Sequence, residues 1–246
     1  MKTVFMAGGK GTRISSVVSN APKPMIRIQG MPVLEREIIC LRDQGFTDYI
    51  ITLSHMSDQI IHYFGNGKAL GVSIDYYVED QPLGNAGALF KLRDKLSEPF
   101  LLLNADVVFD IDFNRFVDFH HLHNGLVTLF THPNSHPYDS GVIISEENGA
   151  VKQWLSKEDV RPRWYQNRVN AGLHVIDPKV LDMVGINVET IGMEIEGERV
   201  KVDLDRQILS HFAEQGKCFA MIVLNMLKIW EHLNDMRQSV KIFQRV

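Results

Sequence analysis

The sequence predicts an α/β protein: a Rossmann-like, doubly wound, mostly parallel sheet carrying a small β-rich insertion. Two observations carry this expectation. Short, almost wholly apolar runs alternate with helical patterns through the first half, as in βαβ crossovers whose strands are covered on both faces. The second half then switches to alternating apolar and polar runs around a turn signal, which reads as a hairpin.

The elements follow in order. "TVFMAG" from Thr3 is a buried strand, and "MPVLEREIICLRDQG" is a helix with Pro32 in its first turn and Gly45 as its stop. "DYIITLS" is a strand, and "SDQIIHYFGNG" is a helix with Ser57 or Asp58 as its cap. "VSIDYYVE" (strand), "NAGALFKLRDKL" (helix), "FLLLNAD" (strand) and "FNRFVDFHHLHNG" (helix) continue the alternation. "SGVIISEENGAVKQWLS" gives the hairpin around Asn148-Gly149, "VNAGLHVID" a strand, "PKVLDMV" a short helix, and "DLDRQILSHFAEQG" a helix closing at Gly216. No repeat, low-complexity run or Pro/Ser-rich linker interrupts the chain. Residues 1–217 therefore read as one domain with a β-rich lobe, followed by an aberrant tail over 218–246.

Bulk properties narrow the function. The 246 residues are 45% hydrophobic and 23% charged, a globular composition, and the formal charge of −4 gives no support for a nucleic-acid or acidic-membrane partner. The two cysteines, Cys40 and Cys218, are far apart, which fits a reducing cytoplasm better than a disulfide framework. Glycines interrupt the N-terminus before any signal-peptide core forms, and the apolar run of the tail is too short to span a bilayer. A cytoplasmic protein is the expectation.

The chemistry sits in a few motifs. "AGGKGTR", Ala7 to Arg13, follows the first strand directly. Its glycines let backbone N–H groups approach an anion, and Lys10 and Arg13 add charge. The spacing is neither G-x-G-x-x-G nor a Walker loop, and a glycine-rich turn with incidental basic residues is the plain alternative. "APKPMI" places Lys23 between two stiffening prolines, and "PLGNAGAL" is a second glycine turn suited to contact with a flat base or ribose. "LLLNADVVFDID" ends an apolar strand with Asp106, where a metal-binding carboxylate is at home; a turn or cap role is the alternative, for which Asp110 and Asp112 serve equally well. Other groups carry less. His120, His121 and His123 lie near a helix C-terminus, where they suit its dipole, and with His132 and His136 they lack metal-site spacing. Asp203 and Asp205 read as a cap and a first-turn charge, and "RPRWYQNR" as one short basic loop.

With "AGGKGTR", "PKPM", "PLGNAGAL", "NAD" and "NAG" in this order and approximate spacing, the chain from Met1 to Lys217 resembles the sugar-1-phosphate nucleotidyltransferases. It looks most like the mannose-1-phosphate and D-glycero-D-manno-heptose-1-phosphate guanylyltransferase branch. The resemblance implies the nucleotide-diphospho-sugar transferase fold and the reaction NTP plus sugar-1-phosphate to NDP-sugar plus pyrophosphate. Ala7, Gly8, Gly9, Gly11, Thr12 and Arg13 would then hold the triphosphate, with Arg13 on the leaving pyrophosphate. Lys23 would neutralise charge between the reacting phosphates, Gly84 and Asn85 would flank base and ribose, and Asp106 would hold Mg2+. Asn170 and Gly172 would contact the sugar and Lys157 its phosphate; relatives also place a carboxylate near the sugar in the Asp203–Asp205 stretch. Two departures stand out: Ala105-Asp106 where the family has Gly-Asp, and Ser156-Lys157-Glu158 where it has Glu-Lys-Pro. GTP and a mannose- or heptose-type sugar phosphate are the favoured partners, with no nucleic acid and no membrane; a homo-oligomer fits, and some relatives are fused to a sugar-phosphate phosphatase. The alternatives are a catalytically weak or inactive nucleotide- or NDP-sugar-binding homologue, and a cytidylyl- or cofactor-nucleotidyltransferase sharing only the first loop.

The tail departs from the family. Relatives continue after the last helix with a segment close to "YDSPEYVKDMGTPERY", which this chain lacks as written. Ordinary codon choices for this tail can nevertheless encode that segment when each triplet takes the third base of one residue and the first two of the next. Met221 followed by Ile222 must yield Asp, Trp230 followed by Glu231 must yield Gly, and Met226 followed by Leu227 yields Val or Ala. The expectation is a frameshift from about Cys218, with a packed amphipathic helix as the alternative. By the same resemblance the Asp of "DMGT" is the second carboxylate on the metal, and Lys228-Ile229 stands in its place. Reduced activity follows.

Overall fold

The computed structural model describes residues 1–8, 21–134, 141–156 and 159–222. Its strands are β1 Thr3–Met6, β2 Arg27–Ile28, β3 Met31–Pro32, β4 Asp48–Leu53, β5 Ser73–Val78, β6 Phe100–Asn104, β7 Val127–Pro133, β8 Val142–Ser145, β9 Val151–Leu155, β10 Arg168–Ile176, β11 Glu194–Ile195, β12 Glu198–Arg199 and β13 Cys218–Ile222. The α-helices are α1 Val33–Arg42, α2 Ser57–Phe64, α3 Gly87–Lys91, α4 Phe113–His123, α5 Lys179–Met183 and α6 Ser210–Glu214. Seven strands form the central sheet in the order β13-β7-β10-β6-β1-β4-β5. β10 runs antiparallel to β6 and β7, and the other pairings are parallel.

The two-residue period of a strand explains the continuous apolar runs. Val4, Ile50, Leu102 and Leu129 face one cluster, completed by α3, α5 and α6 through Leu89, Val180 and Phe212. Their neighbours Phe5, Ile51, Leu101 and Leu103 face the other, under α1, α2 and α4 through Ile38, Phe64 and Phe116. Both faces are covered, so neither set of alternating residues is free to be polar. The doubly wound, mostly parallel sheet is the one expected, and the β8–β9 hairpin lies where the Asn148-Gly149 signal puts it. No helix among the described residues is long and apolar enough to cross a membrane.

Local differences have local causes. Pro32 lies in β3 and precedes α1 rather than sitting in its first turn. Neither Ser57 nor Asp58 caps α2: the helix begins at Ser57, after Met56 in the left-handed region at φ 61°. The helix expected from "NAGALFKLRDKL" ends at Lys91 and continues only as a 3-10 turn, Arg93–Lys95. The last expected helix starts as a π-helical turn, Leu204–Leu209, before α6. β13 pairs in parallel with β7, and Cys218 and Ala220 are buried. The sheet therefore takes in the first residues of the expected tail, while 223–246, which carry most of the shifted-frame pattern, lie outside the described residues.

The chain builds β1, β4 and β5 outward in one direction, then returns to place β6 on the opposite side of β1. Such a reversal leaves a crevice at the carboxyl ends of the two diverging strands, here β1 and β6.

Candidate active site

A cleft of about 670 Å3 opens at that point, and Ala7, Gly8, Lys23, Gly84, Asn85 and Asp106 line it. Ala7 and Gly8 extend β1: the Ala7 N–H donates to Thr52 O at 3.0 Å, and the Ser54 hydroxyl donates to Gly8 O at 2.6 Å. Gly9, Gly11, Thr12, Arg13 and Lys157 lie outside the described residues, as does His136.

Lys23 opens a 3-10 turn, Lys23–Met25, entered from Pro22 at φ −66°, so the flanking prolines do fix its backbone. Its Nζ lies 3.3 Å from Asp106 Oδ2. This ion pair is partly exposed and adds little to stability. Its consequence is geometric: a cation and a carboxylate from residues far apart in sequence meet at the switch point.

The loop carrying Asp106 is fastened from α1, which the sequence did not reveal. Glu37 is completely buried; its Oε1 accepts the Phe109 N–H at 2.6 Å and its Oε2 has no partner. Burial pushes this carboxyl well above the ordinary carboxylate range, and the Phe109 N–H partly offsets this. Just beyond α1, Gln44 donates to Ile111 O at 2.9 Å and accepts the Phe113 N–H at 2.8 Å. Asp112 caps α4 by accepting the Arg115 N–H, leaving Asp106 free of that duty.

The second glycine turn is shaped by a distant segment. Val202 N–H donates to Leu83 O at 2.8 Å and Val202 O accepts from Ala86 N at 3.1 Å. Gly84, at φ 89°, lies so close that a Cβ would overlap Val202 O. Asn85 lines the cleft, yet its side-chain oxygen is taken by the Leu204 N–H at 2.7 Å, so it braces the turn. Glu79, unremarked in the sequence, also lines the cleft and accepts the Leu83 N–H at 3.2 Å through Oε2. Burial raises its carboxyl above the usual range and the Leu83 N–H partly offsets this.

Asn170 and Gly172 are not among the residues lining the cleft and sit at an irregularity of β10, between Asn170 and His174. Gly172, at φ 79°, packs where a Cβ would overlap the side chain of Asn104, itself a lining residue. The Asn170 side-chain oxygen accepts from Gly172 N at 3.1 Å and from His174 Nε2 at 2.9 Å. Its amide donates to Asp205 Oδ1 at 3.2 Å. Burial lowers the His174 imidazole to about 4, so the ring is neutral and donates. Asp203 is a cap, accepting the Arg206 N–H at 2.9 Å, but Asp205 is more than a first-turn charge.

Burial first, then the neighbouring Asp203, raises the Asp205 carboxyl from 3.8 to about 6, while Asn170 and Arg206 pull it back. A carboxyl raised on folding opposes folding wherever it must ionise. The penalty is full above about pH 6 and vanishes as the pH falls toward 3.8. Asp205→Asn mimics the neutral form, so it should raise Tm by a few degrees at pH 8 and leave Tm unchanged near pH 4. A thermal melt series across that range checks the sign.

Of the histidines expected to be structural, His120 is buried, with Nδ1 2.8 Å from Thr128 Oγ1. Among the described residues no group of three metal-ligating side chains converges. Asp106, paired with Lys23, offers one carboxylate to a cation at this point. That donor set fits an octahedral hard cation, which binds through one or two carboxylates and completes its shell with water and phosphate oxygens.

The family model described as nucleotidyl transferase matches residues 2–199. Probable mannose-1-phosphate guanylyltransferase 2 of Oryza sativa subsp. japonica is 28% identical over 229 residues, covering 91% of this chain and 59% of that protein. Mannose-1-phosphate guanyltransferase beta-B of Xenopus laevis is 31% identical over 226 residues, 90% of this chain and 58% of that one. The chain thus spans less than two thirds of the length of these curated relatives. Among solved structures, HddC from Yersinia pseudotuberculosis superposes with a TM-score of 0.77 at 21% identity, covering 98% of this chain and 99% of that one. A putative glucose-1-phosphate thymidylyltransferase from Bacillus anthracis, in complex with sucrose, gives 0.80 at 17% identity, covering 100% of this chain and 96% of that one. At such identities these structures establish a shared fold. The family match over most of the chain, with the relatives it brings, places this protein in the nucleotidyl transferase family.

Proposed function

We propose that the chain transfers a nucleotidyl group from an NTP to a sugar-1-phosphate, giving NDP-sugar and pyrophosphate. The observation that carries this reading is the Lys23–Asp106 pair, 3.3 Å apart, in a switch-point cleft that Gly8 and the Gly84 turn also line. A sugar-1-phosphate oxygen is already a nucleophile. It forms a new bond to the α-phosphorus, and the bond from that phosphorus to the β-bridging oxygen breaks with its electron pair leaving on pyrophosphate. No general base is required; the difficulty is bringing two polyanions together.

The residues fit that task. Lys23 lowers the repulsion between the α-phosphate and the incoming sugar phosphate, and Asp106 holds the divalent cation, Mg2+ in this reading. When bound, the cation neutralises phosphate oxygens. Arg13 serves the leaving pyrophosphate, and Lys157 the sugar phosphate. Asp205, held by Asn170, stands on the sugar side.

GTP is the nucleotide favoured by Glu79. One carboxylate oxygen is anchored on the Leu83 N–H, and the carboxylate faces the cleft beside Gly8. Guanine presents two adjacent donors, N1–H and the 2-amino group, which one carboxylate accepts together. The relatives named for mannose-1-phosphate guanylyl transfer support the same choice of base and a mannose-type sugar. A pyrophosphate-release screen of the four NTPs against mannose-, heptose- and glucose-1-phosphates tests the reading. Turnover should be highest with GTP and a mannose- or heptose-type acceptor. Release independent of the sugar phosphate would defeat it.

A further inference from the structure

Lys201 lines the cleft, as do Glu79, Asp80 and Gln81. Its backbone is tied one residue from the contact that shapes the second glycine turn, where Gly84 and Val202 form a parallel bridge. Val202 is buried and Lys201 exposed, so the alternation along this extended segment turns the lysine out of the core at the cleft wall. A single residue links this segment to Glu79: the Leu83 N–H donates to Glu79 at 3.2 Å and the Leu83 carbonyl accepts the Val202 N–H at 2.8 Å. The Glu79 carboxylate and the segment carrying Lys201 therefore flank the same Leu83–Gly84 unit.

Lys23 and Lys201 are the lysines lining the cleft among the described residues. Lys23 is paired with Asp106, whereas Lys201 makes no ion pair among those residues. A cation left unpaired at the nucleotide end of the cleft has its donors available to a ligand.

We propose that Lys201 is a base-selecting residue, donating to O6 and N7 of guanine while Glu79 accepts from N1–H and the 2-amino group. This rests on the reading of the cleft as a GTP site. Guanine alone among the four bases offers the O6/N7 acceptor pair beside two donors. Adenine puts an amino donor where O6 would be, facing the ammonium with another donor. Uracil and cytosine have no N7. The four-carbon stem of lysine lets one ammonium follow either acceptor.

The test is equilibrium binding of GTP, 7-deaza-GTP, ITP and UTP to the full chain and its Lys201→Met and Lys201→Arg variants. Lys201→Met should weaken GTP binding by about 10-fold, a loss in the range of one base-edge contact, and Lys201→Arg should retain most of it. Wild-type protein should bind 7-deaza-GTP more weakly than GTP, and Lys201→Met should abolish that difference. ITP lacks the 2-amino group and should lose the same factor in wild type and Lys201→Met, since that group is read by Glu79. Unchanged GTP affinity in Lys201→Met, or equal weakening of all four nucleotides, overturns the assignment while leaving the GTP site standing. A wild-type preference for UTP over GTP overturns the GTP site, and the lysine contact with it.

Discussion

Asp106→Asn is expected to lower kcat by on the order of 10²–10³-fold, the scale for losing one preorganised charge-stabilising group. The residue follows β6 directly, and Ala105 N–H still pairs with Met6 O at 3.2 Å, so the carboxylate leaves the sheet at the β1–β6 switch point. Asparagine keeps the shape and loses the charge that faces Lys23 and that, in the proposed reaction, would hold the cation. The pair is partly exposed and contributes about 1 kcal/mol or less to folding. Tm should therefore stay within about 4 °C of the parent, the shift such an energy produces in a chain of this size. Pyrophosphate release as a function of Mg2+ concentration, beside a thermal melt, separates the two effects. A large fall in Tm with proportionate loss of activity would make Asp106 a structural residue.

On the proposal that the tail from about Cys218 is a frameshifted reading, restoring the family frame there should raise activity by about 100-fold, because it returns a carboxylate where Lys228-Ile229 now stands. The fold supports delivery of that segment to the site. β7 and β6 are both antiparallel to β10, so they point the same way, and β13 is parallel to β7. The carboxyl end of β13 thus lies at the end of the sheet that carries Asp106. The Thr131 hydroxyl bonds Met221 O at 3.0 Å, fixing the strand as far as that end. Sequencing the gene through the Lys217 codon and assaying both versions check the idea. Codons incompatible with the shifted segment, or equal pyrophosphate release by both proteins, would refute it.

The fold was largely legible because its signals are local. Apolar strands such as "FLLLNAD" leave no polar face, and Asn148-Gly149 marks its own hairpin. Lys23 between its prolines and Asp106 after its strand could be singled out for the same reason: strand ends at a reversal of sheet order are where ligands bind. What escaped notice depends on contacts between distant segments. Glu37 meets Phe109 across 72 positions, Asn85 meets Leu204 across 119, and Asp205 meets Asn170 across 35. No local pattern in the sequence marks these pairings, even where Asn85 or Asp205 itself could be singled out. The α2 cap failed for a related reason: the left-handed Met56 enters the helix where a serine cap was expected. One local signal for Glu79 did exist, a carboxylate four residues before Leu83 in the second glycine turn.

The central claim is that the switch-point cleft joins a nucleotide to a sugar-1-phosphate, and following both phosphorus products tests it most directly. In 31P NMR of the full chain with Mg2+, GTP and mannose-1-phosphate, pyrophosphate and a diphosphate diester should appear in equal amounts. Both should appear faster with the restored frame and be lost with Asp106→Asn. Orthophosphate in place of pyrophosphate, or no diphosphate diester from the restored protein with any of the four NTPs, would contradict it.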